Sequence, residues 1–222
     1  WYIRRSRDRV GPASWQTQDK ADKERCYAVL YTVFHRLSRI LAPFTPFMTD
    51  EMYTNLTGEP SVHLADWPDK QSDWKDKKLE EEMERLRSVV ELGHAARKEA
   101  SIKLRQPLAL VKVSGQPQGL RDELVELVQA ELNVKAVDFS GKGEKLDVVL
   151  DSNLTPQLQS EGEARELIRN LQEARKKAGC RLDERVVGFA PAWPKEFTPV
   201  IKQAALLTDL QPGEAVAVKR EA

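Results

Sequence analysis

The hydrophobic period of the chain changes once, at Gln106-Pro107, and a fold must accommodate a different periodicity on each side of that point. Before it, apolar side chains recur at spacings of three and four. Tyr27, Leu30, Tyr31, Phe34, Leu37 and Leu41 form one stripe and predict a helix over 19–41, which Pro43 ends. Thr45-Pro46 then has the form of an N-cap followed by proline at the first helical position. Phe47, Met48, Met52 and Leu56 mark the buried face of the next helix, which Gly58 closes. After a turn-rich connection at 59–73, Leu79, Met83, Leu86, Val90 and Gly93 predict the longest helix, over 74–101, with Glu81 and Arg85 paired on an exposed face. Residues 1–10 read as the last turns of one more helix, broken by Gly11-Pro12. Successive amphipathic helices with short connections predict an antiparallel helical bundle.

Past Gln106-Pro107, strand-like and helical runs alternate. Strands are expected at 108–113, 134–139, 146–150, 185–190 and 213–218. Helices are expected at 118–132, 155–178 and 198–207, the last two opened by Thr155-Pro156 and Thr198-Pro199. Gly179 stands where a C′ glycine would, and Gly141-Lys142-Gly143 reads as a turn. This half is α+β. The sequence thus predicts two domains, 1–105 and 106–222, with no tandem repeat of fixed period.

Charge bears on function only through its distribution. The 222 residues carry 35 Lys and Arg against 35 Asp and Glu, a formal net charge of zero, which excludes a uniformly basic RNA-coating protein and an acidic tail. Basic side chains nevertheless cluster at three places. Arg4, Arg5, Arg7 and Arg9 oppose only Asp8; Arg97, Lys98, Lys103 and Arg105 oppose only Glu99; and Arg165, Arg169, Arg175, Lys176, Lys177 and Arg181 lie on or after a predicted helix, interleaved with Glu163, Glu166 and Glu173. Arginine forks bind phosphate bidentately, and Trp1, Tyr2 and Trp15 lie near the first cluster, where they could stack on unpaired bases. Each cluster taken alone also fits a solvated helix face.

Other chemistries find no support. His35, His63 and His94 have no Ser or Cys nucleophile placed beside them, so a stand-alone hydrolase is disfavoured. No phosphate-loop or dinucleotide glycine motif occurs. Cys26 and Cys180 supply neither a disulfide framework nor a four-ligand zinc set, and their scarcity predicts a reducing, cytoplasmic setting. No run reaches the roughly 18 apolar residues of a membrane span, so no membrane partner is expected. The start at Trp1 rather than Met, and the density of aromatics and arginine from there onward, suggest a piece of a larger protein.

Several segments together resemble isoleucyl-tRNA synthetases. Trp1-Tyr2-Ile3-Arg4-Arg5-Ser6-Arg7 looks like their W-Y-[IV]-R-R-S-R segment. Ala42-Pro43-Phe44-Thr45-Pro46-Phe47 through Glu51 and Tyr53 resembles a stretch shared by the class I enzymes for isoleucine, valine and leucine, and Ser61-Val62-His63-Leu64 with Trp67-Pro68 resembles one typical of the isoleucine enzyme. Ile102-Lys103-Leu104-Arg105-Gln106-Pro107-Leu108, Glu131-Leu132-Asn133-Val134-Lys135, and Glu161-Gly162-Glu163-Ala164-Arg165-Glu166 through Gly179 complete an ordered set that spans the chain and favours isoleucine over valine, the alternative parent.

The resemblance implies a C-terminal fragment: an anticodon-binding helical bundle followed by an α+β domain. Its parent would join isoleucine to tRNA(Ile) with ATP and magnesium. The catalytic signatures H-x-G-H and K-M-S-K-S are absent here, as is the editing domain, so the fragment is expected to bind tRNA, to do no chemistry, to hold no cofactor of its own, and to work with the catalytic and editing domains of the same chain. The expected tRNA-binding residues are Arg4, Arg5, Arg7, Arg9, Arg97, Lys98, Lys103, Arg105, Arg175 and Lys176, with no catalytic and no metal-binding residue. Two cysteines cannot build the C-terminal zinc module of some bacterial relatives, so the chain looks like the zinc-free, eukaryote-like type. For residues 106–222 a structural or protein-interaction role stands beside RNA binding.

Overall fold

A computed structural model of the chain describes residues 1–10, 20–115, 120–141, 143 and 145–220. Gly11, Pro12, Trp15, Gln118 and Lys142, to which the sequence reading gave roles, lie outside them. The helical first part and the α+β second part follow the change of period. By contacts the chain forms two compact units, Trp1–Lys75 and Asp76–Ala222.

The first unit contains α1 (Tyr2–Val10), α2 (Lys20–Leu41) and α3 (Pro46–Thr57), with short 3-10 turns at Val62–Leu64 and Ser72–Trp74. Helix α3 starts at Pro46 as expected, but Thr45 does not cap it: its hydroxyl donates back to the carbonyl of Leu41 at 3.4 Å. Gly58, at φ +76°, ends the helix by donating its N–H to Thr54. Asp50 accepts from the Ser61 hydroxyl at 2.7 Å and the Val62 N–H at 2.8 Å, which seats Val62 beside Ala42 and Tyr53 in a small core. His35 lies stacked between Tyr31 and Tyr53, with ring centroids 5.6 and 5.5 Å away. Burial holds its imidazole below the usual histidine value, helped by Arg39 and Arg36. Cys26 is fully buried.

The second unit begins with α4 (Lys77–Glu99). Asp76 opens it, close to the start expected near Trp74, accepting the Leu79 N–H on its carboxylate at 2.9 Å. The chain continues through β1 (Leu108–Ser114), α5 (Asp122–Leu132), β2 (Val134–Gly141) and β3 (Asp147–Leu150). It then runs through α6 (Pro156–Lys177), β4 (Val186–Ala190), α7 (Thr198–Ala204), β5 (Leu207–Pro212) and β6 (Ala217–Lys219). Each sheet has three strands with the earliest in the middle. β1 pairs in parallel with β2 and antiparallel with β3; β4 pairs in parallel with β5 and antiparallel with β6. Gly141 is a ladder residue opposite Ser114 rather than part of a turn.

Strand β5 is absent from the sequence reading, which carried a helix to residue 207. Helix α7 stops at Ala204 because Leu206 takes a left-handed conformation, φ +53°, with no glycine to announce it. Only Leu207 and Leu210 of β5 face inward, and Pro212 ends it at the sheet edge, where its missing N–H is tolerated.

Two cores result. Leu86, Val89 and Val90 of α4 join Leu108, Val111 and Val113 of β1, with Leu124, Val128 and Leu132 of α5. Leu167 and Leu171 of α6 join Val186 of β4 with Ile201, Leu207 and Leu210. The apolar stripe of α4, read from sequence as part of a bundle ending at 105, therefore covers the first sheet. Between the two cores, the Gln106 amide donates to the Leu158 carbonyl at 2.7 Å, and Lys135 pairs with Glu161 at 2.7 Å.

The sequence reading expects no tandem repeat, yet the second unit repeats one element order: helix, strand, helix, parallel strand, antiparallel strand. The packing repeats as well. Helix α4 packs on α5 and β3 as α6 packs on α7 and β6. The lengths do not repeat, since α5 runs Asp122–Leu132 and α7 only Thr198–Ala204, so no constant period survives in the sequence.

Candidate nucleic-acid interface

The candidate basic residues fall into two structural classes. Arg4, on the two-turn helix α1, is exposed, Arg5 is half-buried and Arg7 is exposed. Ser6 is buried, its hydroxyl donating to the Tyr2 carbonyl at 2.8 Å, and Arg4 and Arg7 project outward from the opposite side of the helix. Arg9 is committed. Its Nε and one terminal nitrogen grip the Asp22 carboxylate at 2.8 and 2.7 Å, and that nitrogen also donates to the Asp22 carbonyl at 3.2 Å. The hydrogen bond to Asp22 raises the Arg9 pKa and lowers that of Asp22, so the pair stays charged. Its effect is to tie α1 to α2. Trp1 and Tyr2 are 41% and 43% exposed, leaving part of each ring accessible beside the arginines.

At the end of α4 the same division holds. Arg97 is 2% exposed, and burial pulls its pKa below the ordinary arginine value. Its terminal nitrogens donate to the carbonyls of Lys103 at 3.1 Å, Gln106 at 3.0 Å and Asn133 at 3.1 Å. A phosphate would find this fork buried and already engaged. Lys98 in the same helical turn, and Lys103 and Arg105 on the loop that Arg97 fixes, are exposed around it; Arg105 also pairs with Glu166 at 3.4 Å.

Helix α6 ends likewise. Arg175 is buried at 7% exposure and donates to Leu206 at 3.2 Å and Arg181 at 3.1 Å. Lys176 and Arg181 are exposed; Arg181, outside the candidate set from sequence, comes no nearer than 4.0 Å to the Asp183 carboxylate. Sequence alone cannot separate Arg97 from Lys98 or Arg175 from Lys176, because neighbours on a helix end differ in environment only once the following loop folds back.

Among the described residues, no group of three or more His, Cys, Asp or Glu side chains could hold a metal ion. No described helix is long and apolar enough to cross a membrane.

Residues 1–113 match the family described as the anticodon-binding domain of tRNA ligase. The chain is 39% identical over 205 residues to an isoleucine–tRNA ligase of Dehalococcoides mccartyi, covering 82% of this chain and 20% of that protein. It is 40% identical over 164 residues to the isoleucine–tRNA ligase of Clostridium acetobutylicum, covering 71% and 15%. It is 31% identical over 265 aligned residues to that of Pyrococcus furiosus, covering 84% and 24%. The chain thus spans about a fifth of the length of the curated relatives it matches.

Proposed function

The chain belongs to the family of tRNA ligase anticodon-binding domains, and from that premise we propose that it is the tRNA-binding portion of an isoleucine–tRNA ligase, recognising the anticodon stem-loop of tRNA(Ile). The observation that carries the reading is that the family match over 1–113 contains two of the basic groups, Arg4, Arg5 and Arg7 on α1, and Lys98 in the last turn of α4 with Lys103 and Arg105 beyond it.

In this reading the exposed basic side chains neutralise phosphates along the RNA, which supplies affinity and salt sensitivity. Sequence is read from unpaired anticodon bases by stacking and hydrogen bonding, with Trp1 and Tyr2 as the available aromatic faces. Arg9, Arg97 and Arg175 contribute by fixing the backbone that presents their neighbours. Chemistry belongs to a catalytic domain elsewhere in the parent protein, which would use ATP to form the aminoacyl-adenylate. Binding energy gathered here, remote from the reacting bond, would place the acceptor end there. The setting proposed is the cytoplasm, where translation takes place.

The test is a titration of tRNA(Ile) at several salt concentrations. Saturable binding that weakens with salt is expected. Replacing Arg4, Arg5 and Arg7 with alanine should lower the slope of log affinity against log salt by about 1 for each phosphate that is no longer neutralised. Absence of binding at low salt, or an unchanged slope in the triple variant, would falsify the reading.

A further inference from the structure

The two halves of the second unit share more than an element order. Residues 96–104 read Ala-Arg-Lys-Glu-Ala-Ser-Ile-Lys-Leu, and residues 174–182 read Ala-Arg-Lys-Lys-Ala-Gly-Cys-Arg-Leu. Aligned in this register, burial agrees residue for residue: a half-buried alanine, a buried arginine, four exposed residues, one half-buried and two exposed. Both segments close their helix with the same hydrogen bonds. Ser101 donates to Lys98 and Ile102 to Arg97, as Gly179 donates to Lys176 and Cys180 to Arg175. Ser101 and Gly179 are both left-handed, at φ +54° and +67°.

The long-range contacts correspond too. Asn133 and Leu206, each left-handed and each just before the second strand, give a carbonyl that accepts from two donors. Asn133 takes the Leu108 N–H and the Arg97 guanidinium; Leu206 takes the Val186 N–H and the Arg175 guanidinium. In the same register the buried positions Leu86, Val89 and Gly93 of α4 fall on Ala164, Leu167 and Leu171 of α6, all buried. Gly93 makes room for Leu132, since a Cβ there would lie 2.6 Å from its methyl carbons. The second half reverses the sizes, with Leu171 and Ala205 in one core.

We propose that 77–150 and 156–219 are two copies of one module, and that the second copy holds the phosphate backbone of tRNA through Lys176 and Arg181 as the first does through Lys98 and Lys103. The inference rests on the tRNA-binding reading above and extends it past residue 113, where the family match ends. Two exposed positions keep their charge between copies without a fold requirement that demands it: lysine at 98 and 176, and Lys103 matched by Arg181. The dipole of the helix C-terminus favours the first pair. It does not account for the second, which lies beyond the helix end; there each residue's carbonyl accepts from the buried arginine, and Arg181 also donates its N–H to Glu184 at 2.9 Å, contacts of the backbone that do not require a basic side chain. Glu99 against Lys177, the last residue of each helix, does not keep its charge between the copies.

The experiment compares two double variants of the full chain, Lys98→Ala with Lys103→Ala and Lys176→Ala with Arg181→Ala, in tRNA(Ile) titrations over several salt concentrations. All four side chains are exposed, so thermal melts should match the parent. Each pair is expected to weaken binding and to lower the log–log salt slope by about 2. Parental affinity and slope in the second pair, with weakening in the first, overturns the inference and leaves the reading intact. Parental behaviour in both pairs and in the α1 triple variant overturns both. The equivalence of the copies has its own test. Gly93→Leu should lower the melting temperature, and adding Leu132→Ala, the combination the second copy uses, should restore much of the loss. A double variant no more stable than the single would sink the duplication.

Discussion

Arg97 shows how one side chain can look like a ligand-binding group and serve as a structural one. A guanidinium offers five donors in a fixed plane, and here its terminal nitrogens are spread over three carbonyls from the loop after α4 and the turn before β2. Lysine has the charge but not the fork. Arg97→Lys and Arg97→Met are therefore both expected to destabilise, by roughly 3 kcal/mol, because carbonyls buried with the arginine lose charge-assisted donors. Urea unfolding would measure it, and a lysine variant as stable as the parent would exclude the geometric account. Asp50 gives a contrasting case. The Ser61 hydroxyl, and then the Val62 N–H, hold its carboxylate below the ordinary value of 3.8. A depressed folded-state pKa adds stability above the unfolded value, and that stability is lost as pH falls through the folded one. Asp50→Asn should thus lower stability at neutral pH and flatten the acid side of the profile below about pH 4, as read by melts between pH 2 and 7.

At the scale of elements, helix ends decided where sequence was legible. Thr155 and Asp76 accept N–H groups from Leu158 and Leu79, and Gly179 takes the left-handed position, two of these three roles being readable from residue type alone. Ser101 occupies the equivalent left-handed place without a glycine, and Leu206 does so with a bulky residue, which is why the end of α7 and the whole of β5 escaped notice. Ser101→Gly should accordingly stabilise by up to about 1 kcal/mol, and Gly179→Ala should destabilise by about 1 kcal/mol. A Cβ on Gly179 meets nothing within 4 Å, so that cost is conformational and not steric. Thermal melts that move in the same direction for both would contradict this. Helix α4 was legible for the opposite reason: its burial is written at every third or fourth residue, whereas in α2 the apolar stripe places the helix correctly but Tyr27, Tyr31 and Leu37 of that stripe are exposed and the buried residues are Cys26 and Ser38. What each stripe packs against was not, and α4 turned out to roof the first sheet.

At the scale of the molecule, the change of sequence texture near 105 and the division of contacts at Lys75 do not coincide. The stripe of α4 accounts for the difference, since Leu86, Val89 and Val90, each at most 3% exposed, complete a core whose other walls come after residue 107. A chain cut at 105 would leave Val111, Val128 and their neighbours open to water. Residues 76–222 are expected to give a cooperative melt and a dispersed amide spectrum, and residues 106–222 neither. A well-folded 106–222 fragment would show that α4 is dispensable. The basic clusters were legible as charge, but not their sorting into braces and outward-facing groups, because burial of an arginine depends on carbonyls contributed from as far away as Asn133 and Leu206.

The reversal of sizes between Gly93 with Leu132 and Leu171 with Ala205 bears on inheritance. Paralogous stretches within one gene tend to be homogenised by recombination between them. Here a tract that copied α6 over α4 would put a leucine where Leu132 already stands, and the reverse tract would leave a hole beside Ala205. An exchange that carries both members of a pair would keep the sizes matched, while one that carries a single member is expected to cost stability. A single-member exchange is thus disfavoured by packing, whereas surface positions such as Glu99 and Lys177 carry no such constraint.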